Sequence, residues 1–241
     1  MDSRIQERLD KIHSTGYWRI NIRPTVYESD RIPSLSKLRE TIEACKVTLR
    51  GWDFPHLDHQ ETVNGDNWIE SGAEFGDIIE YWRFYQSGQF IHHSAMSEDY
   101  VIEKIERTVF SLGKSPTNRY LNILDTLFTL TEVFEFVARL YAKGIYAEPV
   151  HLSIKLVRTN GRLLFFWHSE RNFFLRGQYI CHIDEINYPT KQMTFSAEDI
   201  LSKAPELAFD ATVSIFERFN WNMVPAESLK GDQKKLVERR L

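Results

Sequence analysis

The stretch NRYLNILDTLFTLTEVFEFVARLYAK, residues 118–143, decides the fold of this chain. Apolar side chains recur along it with helical spacing and cover most of the helix circumference. Charged residues such as Asp125 and Glu132 interrupt it, so it lacks the roughly 18 uncharged apolar residues of a bilayer-spanning helix. The pattern predicts a long helix buried between other layers, with a thin polar stripe formed by Asn122, Asp125, Thr129, Glu132, Arg139 and Lys143.

On both sides of this helix, β-rich segments occur in pairs. Residues 81–86 and 89–94 are separated by Ser-Gly, and residues 151–157 and 162–167 are separated by a turn that contains Asn-Gly. Short connections of this kind join antiparallel strands into hairpins. Hairpins, in place of long crossover connections, predict an antiparallel sheet.

Residues 17–27 alternate apolar and polar side chains, as a half-buried strand does. Pro24 in this segment predicts an edge strand or a bulge, because proline cannot donate a ladder hydrogen bond. Ser34 is a candidate N-cap for a helix over residues 35–49. The remaining predicted elements are helices at 2–13, 98–110 and 196–219 and strands at 179–186 and 192–195.

These elements predict an α+β fold, with an antiparallel sheet built from hairpins and a long buried helix and a C-terminal helix packed on it. A length of 241 residues suits one domain over residues 1–241. Two halves, 1–116 and 117–241, are an alternative because each supplies helix and strands. Residues 222–241 are predicted to form a basic C-terminal tail, helical or frayed.

The composition is that of a globular protein, with 42% hydrophobic and 27% charged residues, which excludes intrinsic disorder. The two cysteines, Cys45 and Cys181, are too few for a disulfide framework or a four-cysteine zinc site. The N-terminal segment is charged and has no apolar signal core. We therefore expect a cytoplasmic protein that does not act in a membrane.

Signatures of catalysis are incomplete. The triplet Gly113-Lys114-Ser115 lacks the earlier glycine of a phosphate-binding loop, because Thr108 stands at that position. Neither Ser-Gly pair of the chain lies in the G-x-S-x-G turn that presents a nucleophilic serine. No catalytic residue and no cofactor is predicted.

Negative charge is concentrated in residues 51–100, which hold one basic and ten acidic residues. Its first part, residues 51–70, reads as an acidic loop. Aromatic anchors are favoured at protein interfaces, and an acidic surface steers a basic partner. The predicted partner-contacting residues are Trp52, Trp68, Tyr81, Trp82 and Tyr85.

Basic and aromatic residues alternate between residues 155 and 179. If exposed, such a surface can stack bases and hold phosphates, whereas a run of aromatic residues is also typical of a strand buried on both faces. The alternative hypothesis is a nucleic-acid-binding surface formed by Arg158, Arg162, Arg171 and Arg176.

A third hypothesis is a metal-dependent hydrolase, because His56, Asp58 and His59 offer imidazole and carboxylate ligands close together in sequence. His92 or His93 could complete that set. Adjacent strand residues face opposite ways, so only one of these two histidines can point into any one site.

Two stretches, RGWDFPHL at Arg50–Leu57 and EYWRFYQSGQFIHH at Glu80–His93, resemble the uncharacterised region that follows a Schlafen-like AlbA-type domain in some predicted bacterial regulators. The similar residues make up under a tenth of the chain, and no AlbA-type domain is evident, so its DNA binding is not carried over. The resemblance implies an accessory or sensing module that works beside a partner.

Together these observations favour a non-enzymatic interaction or sensing module. We expect it to be a subunit of a larger bacterial assembly that binds a partner protein through the acidic, aromatic segment 51–100. The nucleic-acid-binding and metal-dependent hypotheses stay open as alternatives.

Overall fold

The structure is a computed structural model that describes residues 3–58, 60–109, 115–172, 175 and 177–239. Its strands are β1 Tyr17–Pro24, β2 Val63–Asn64, β3 Trp68–Phe75, β4 Ile78–Tyr85, β5 Phe90–Ala95, β6 Tyr120–Asn122, β7 Val150–Val157, β8 Leu163–Phe165, β9 Glu185–Tyr188 and β10 Thr194–Phe195. Its helices are α1 Ser3–Ser14, α2 Leu35–Cys45, α3 Ile102–Val109, α4 Ile123–Ala142, α5 Ser169–Asn172, α6 Ala197–Glu217 and α7 Ala226–Val237, with a 3₁₀ turn at Ser97–Tyr100 before α3.

An eight-stranded antiparallel sheet organises the molecule, in the order β10-β7-β1-β5-β4-β3-β2 with β9 also paired to β7. The long helix α4 packs against α6, the helix predicted at 196–219, on one face of this sheet. The predicted α+β class, with its antiparallel sheet and long buried helix, is confirmed. None of the described helices is long and apolar enough to cross a bilayer.

The core lies mainly between the sheet and α4. Because successive strand residues face opposite sides, Trp82, Phe84 and Phe90 point into this core, where the Phe90 ring lies 4.8 Å from the ring of Phe136 on α4. The other face of β4 carries Tyr81, which packs under α1 in a separate small cluster. The strands β4 and β5 are therefore covered on both faces.

Side-chain caps fix where three helices begin. Ser34 accepts a hydrogen bond from the backbone N–H of Lys37, which confirms the predicted cap of α2. Asn122 starts α4 in the same way, with its Oδ1 2.8 Å from the backbone nitrogen of Asp125. Ser196 caps α6. The Asn122 cap turns β6 directly into the long helix.

The prediction that Pro24 marks an edge strand or a bulge is wrong. β1 lies inside the sheet, between β5 and β7, and Pro24 is its last residue, paired with Val150. Proline at the end of the strand costs the ladder little, since the strand stops there. This central strand also joins the two predicted halves, because β5 belongs to residues 1–116 and β7 to residues 117–241.

The second predicted hairpin is also wrong. β8 pairs in parallel with β6 and does not pair with β7. Arg162, which is 1% exposed, holds β8 beside β6 and away from β7. Its guanidinium donates to both Asp99 oxygens at 2.7 and 2.5 Å and to the Tyr120 carbonyl at 2.8 Å. The same guanidinium leaves no room for a side chain at Gly16, where a Cβ would lie 1.9 Å from its Nη2.

Two further segments, the predicted acidic loop and the basic tail, contain regular structure. The acidic loop ends in β3, a full strand that pairs with β4, and its Glu70 is 1% exposed. The basic tail contains α7, whose Leu229 and Leu236 are buried against the main core. Gln233 of α7 donates to Thr131 of α4 at 2.9 Å, so this helix belongs to the packed domain.

Candidate ligand-binding cleft

A cleft of about 270 Å³ opens between the sheet and the first turns of α4. One wall is formed by the loop after α2 together with the first residues of β4 and the last residues of β5, which lie side by side at one end of the sheet. The 3₁₀ turn, α4 and the segment after β8 form the rest. The ionisable side chains that line it are Arg50, Asp53, Asp77, Glu80, His92, Glu98 and Asp125. Three indoles, of Trp18, Trp52 and Trp167, line it as well.

The two stretches that carry the family resemblance meet at this cleft. The backbone N–H of His56 donates to Glu80 Oε1 at 2.7 Å, and the indole of Trp82 donates to the carbonyl of His56 at 2.7 Å. These bonds dock the loop of residues 50–57 onto β4. Residues that are far apart in the sequence thus form one wall.

Glu80 and His92 form a buried pair in that wall. The His92 Nε2 lies 3.1 Å from Glu80 Oε2, and the two residues are 2% and 8% exposed. Burial disfavours the Glu80 carboxylate, but the hydrogen bonds from His92 and from the His56 backbone outweigh it and hold the pKa of Glu80 below its ordinary value. Glu80 is therefore ionised, and the His92 Nε2 carries the proton between them.

The other ring nitrogen of His92 has no hydrogen-bond partner among the described residues, although it is buried. In a neutral imidazole with a donating Nε2, Nδ1 is an acceptor. A buried acceptor left without a donor costs about 1–3 kcal/mol. Because His92 lines the cleft, its Nδ1 marks a position where a ligand donor can bind.

Arg50 and Glu132 form a second buried pair beside the cleft. The Arg50 Nε and Nη2 lie 3.1 and 2.5 Å from Glu132 Oε2, and Glu132 is fully buried on α4. Nη2 also donates to Thr129. Burial raises the pKa of Glu132, while Arg50 opposes this rise. The pair ties the loop after α2 to the middle of α4 and so fixes the shape of the cleft.

Two further carboxyl groups have raised pKa values. Burial, together with the nearby Asp125, raises the pKa of Glu98 to about 7, although its Oε1 accepts the backbone N–H of Asn122 at 2.7 Å. Burial within the cleft walls also raises the pKa of Asp125, and Arg50 opposes this. The Asp125 side chain keeps 42% of its surface accessible, so it faces the open part of the cleft.

The structure divides the predicted partner-contacting residues between three environments. Trp52, 42% exposed, stands at the cleft. Trp68 and Tyr85 are half-buried on the opposite face of the sheet. Tyr81 and Trp82 are 5% and 0% exposed, and this corrects the expectation that they contact a partner, because β4 is covered on both faces.

The three predicted nucleic-acid-binding arginines that the structure describes do not form one surface. Arg162 is buried against Asp99, which removes it from any contact surface. Arg171 is half-buried and pairs with Asp232 at 2.8 Å. Arg158 is exposed, and Arg176 lies outside the described residues. Two of the accompanying aromatic residues, Phe165 and Phe166, are core residues.

Of the proposed metal ligands, His56 and Asp58 lie in the part of the chain that the structure describes. Asp58 accepts the backbone N–H of Gln60 at 2.8 Å, and His59 lies outside the described residues. His92 faces the cleft, whereas His93 contacts His13 of α1, as strand alternation predicted. Within the described ranges, no group of three or more His, Cys, Asp or Glu side chains is placed to share a metal ion.

The polar residues of α4 are the part of the site that the sequence indicated most directly. The polar stripe of the long helix contains Asp125, Thr129 and Glu132, and all three lie at or beside the cleft. A polar stripe on an otherwise apolar, buried helix is a usable signal for a polar cavity. Glu98 had no such signal, because it lies in a short turn between elements.

Comparisons with protein-family models, with curated proteins and with solved structures find no match to this chain.

Proposed function

We propose that this protein is a non-enzymatic sensing and interaction module, a subunit of a larger bacterial assembly, and that the cleft at His92 is its ligand-binding site. The observation that carries the proposal is the buried, unpartnered Nδ1 of His92 in a cleft lined by three indoles. Ligand sites combine apolar walls with a few fixed polar groups, and this cleft has both.

The cleft is suited to communicate ligand binding to a partner. Trp52 stands on its rim and is 42% exposed, and Asp77 lines it from the β3–β4 turn. The neighbouring Phe75 is 81% exposed. Large exposed aromatic side chains are typical anchors in protein interfaces. A ligand in the cleft would order the same rim that a partner contacts.

Acid–base catalysis is a second candidate, favoured by Glu98. A carboxyl group with a pKa of about 7 can give and take a proton at neutral pH. A sensing module leaves its ligand unchanged, whereas an enzyme converts it. Incubation of each binding compound with the protein, followed by mass spectrometry, separates the two functions.

The tryptophan indole N–H signals in a ¹H–¹⁵N spectrum test the proposed site. A compound that binds in the cleft should shift the signals of Trp52 and Trp167, which line it. Trp68 and Trp221 do not line it and serve as internal controls. If no compound in a chemically diverse library shifts the cleft indoles selectively, the proposed ligand site is wrong.

The interaction role needs a separate test. The tagged protein is purified from its source cells, and stoichiometric partners are identified by mass spectrometry. Trp52→Ala with Phe75→Ala should lose the partner, whereas Tyr27→Ala, which removes a 77% exposed aromatic side chain elsewhere, should retain it. A partner that is bound equally by both variants would contradict contact through the cleft rim.

A further inference from the structure

The charge of the cleft restricts what it can bind. Five carboxyl groups line it, whereas Arg50 is the one lysine or arginine among its described lining residues. Arg50 is already bonded to the buried Glu132. The cleft therefore offers a ligand an excess of hydrogen-bond acceptors and of negative charge.

Not all five carboxyl groups are equally available. Asp53 is paired with Lys46 at 2.9 Å, and Glu80 is occupied by His92 and the His56 backbone. Asp77, Glu98 and Asp125 remain. Asp125 is 3.9 Å from the Arg50 guanidinium and accepts a hydrogen bond from the Trp167 indole, whereas Asp77 and Glu98 have no lysine or arginine partner among the described ion pairs. A cluster of acidic side chains alone does not define a ligand site. A buried imidazole nitrogen in the same cleft, however, also indicates a ligand that donates hydrogen bonds.

That nitrogen is the His92 Nδ1. The His92 residue is 2% exposed and its Nε2 is bonded to Glu80. In the neutral tautomer that donates from Nε2, Nδ1 can only accept, and it has no partner among the described residues. An acceptor and several carboxylates around one cavity fit a ligand that carries several N–H donors. An anion would meet like charge and would leave the His92 nitrogen without a donor.

Resting on the proposed ligand site, we infer that the cleft binds a guanidinium group. This group belongs either to a small organic cation or to an arginine side chain of the partner. The indoles of Trp18, Trp52 and Trp167 suit the same ligand, because a cation is attracted to the face of an aromatic ring. A planar guanidinium can also bond a carboxylate through two N–H groups.

Proton release gives this inference an additional signature. Asp125 and Arg162 are the charged groups that act on Glu98, and Arg50 and Asp77 act on Asp125. A bound cation would lower the pKa of Glu98 from about 7 and expel protons from it. Binding should therefore strengthen as the pH rises from 6 to 8, and calorimetry in buffers of different ionisation heat should detect the protons.

The test compares matched probes. Agmatine carries a guanidinium, N-carbamoylputrescine replaces it with a neutral urea of nearly the same shape, and glutarate is a dianion. A Gly-Arg-Gly amide peptide presents the guanidinium as a partner protein would. We expect agmatine or the peptide to shift the Trp52 and Trp167 indoles and the urea analogue to bind at least about tenfold more weakly. Binding of the peptide without agmatine assigns the cation to a partner, and the reverse assigns it to a small molecule.

Charge-neutral variants locate the binding. Asp125→Asn should weaken the cationic probe about tenfold, and Asp77→Asn, in the β3–β4 turn, repeats the test away from the α4 helix start. Asp184→Asn removes the same charge at an exposed position outside the cleft and should change nothing. The inference is overturned if the urea analogue or glutarate binds as well as agmatine, although the proposed site would then stand. If neither these probes nor the library shifts the cleft indoles, both fail.

Discussion

The two faces of β4 and β5 bury polar side chains in different ways. On the face under α1, Glu70 accepts from the Tyr81 hydroxyl and from Arg83, each at 2.8 Å, and the ring nitrogens of His93 and His13 meet at 2.9 Å. On the cleft face, the next residues along the same strands are Glu80 and His92, and one ring nitrogen of His92 is left open.

This difference separates structural polar groups from groups that can bind a ligand. On the α1 face, the buried polar side-chain atoms are almost all hydrogen-bonded. In the described part of the chain, the Nε of Arg8 is the one buried atom of this face without a partner. The cleft face instead has unused acceptors next to an accessible cavity. Burial alone would not distinguish them, whereas hydrogen-bond saturation does.

The largest expected effect on stability belongs to the α1 face. Glu70→Ala would leave Arg83 and the Tyr81 hydroxyl without their shared partner and should lower the free energy of unfolding by about 3–5 kcal/mol, measured by urea denaturation. Glu74→Ala on the same strand removes a partly exposed carboxylate paired with Lys11 and should lower the free energy of unfolding by less than about 1 kcal/mol. A small effect of Glu70→Ala would break the distinction between the faces.

Acidification should destabilise the protein through the α1 face. Burial, with help from His13, lowers the pKa of His93 to about 3, below the ordinary value of about 6.5. The unfolded state therefore binds the proton more readily between these values, and stability falls as the pH falls. His93→Gln should remove about 2 kcal/mol of the loss between pH 7 and pH 5, whereas the exposed His182→Gln should not. Parallel pH profiles for all three proteins would contradict this assignment.

On the cleft face, stability should depend on pH in the opposite direction and fall as the pH rises. The pKa of Glu98 is raised from 4.5 to about 7, so its contribution is fully present below pH 4.5 and is lost as the pH rises through 7. Glu98→Gln should therefore be more stable than the natural protein at pH 8, by about 1–2 kcal/mol, with little difference at pH 4.5. A destabilised variant at pH 8 would show that Glu98 is a structural group.

The smallest effect on folding is expected at the rim. Trp52→Ala should lower the free energy of unfolding by less than about 1 kcal/mol, because the side chain is 42% exposed and the Arg50 guanidinium lies 5.8 Å from its ring. The same change should weaken binding of a cleft ligand. If Trp52→Ala lowered stability strongly and left ligand binding unchanged, the distinction between the structural α1 face and the ligand-binding cleft face would be wrong.

Local signals predicted much of the fold. Helical periodicity predicted α2 and α4, although α2 ends at Cys45 and α4 begins only at Ile123. The Ser34 cap is present, and the Ser-Gly pair between β4 and β5 does form a hairpin turn. Each of these features is decided by residues close together in the sequence. The fold class followed from them.

What local signals could not provide is pairing at long range. The turn at Gly161 exists, but the buried Arg162–Asp99 pair takes β8 to β6, and nothing near Arg162 in the sequence announces Asp99 as its partner. The cleft was missed for the same reason, since its lining comes from several separate segments. Strand alternation did correctly predict that His92 and His93 face different surroundings.

The central place of β1 has a consequence for how the chain folds during synthesis. The meander β3–β4–β5 is complete soon after residue 95 is made, and β1 can pair with β5 at that stage. The other edge of β1 must wait for residues 150–157. Contacts at such sequence separation slow folding, and an open strand edge can recruit other chains. We therefore expect fragments that stop before β7 to aggregate on the ribosome's timescale unless a chaperone covers that edge.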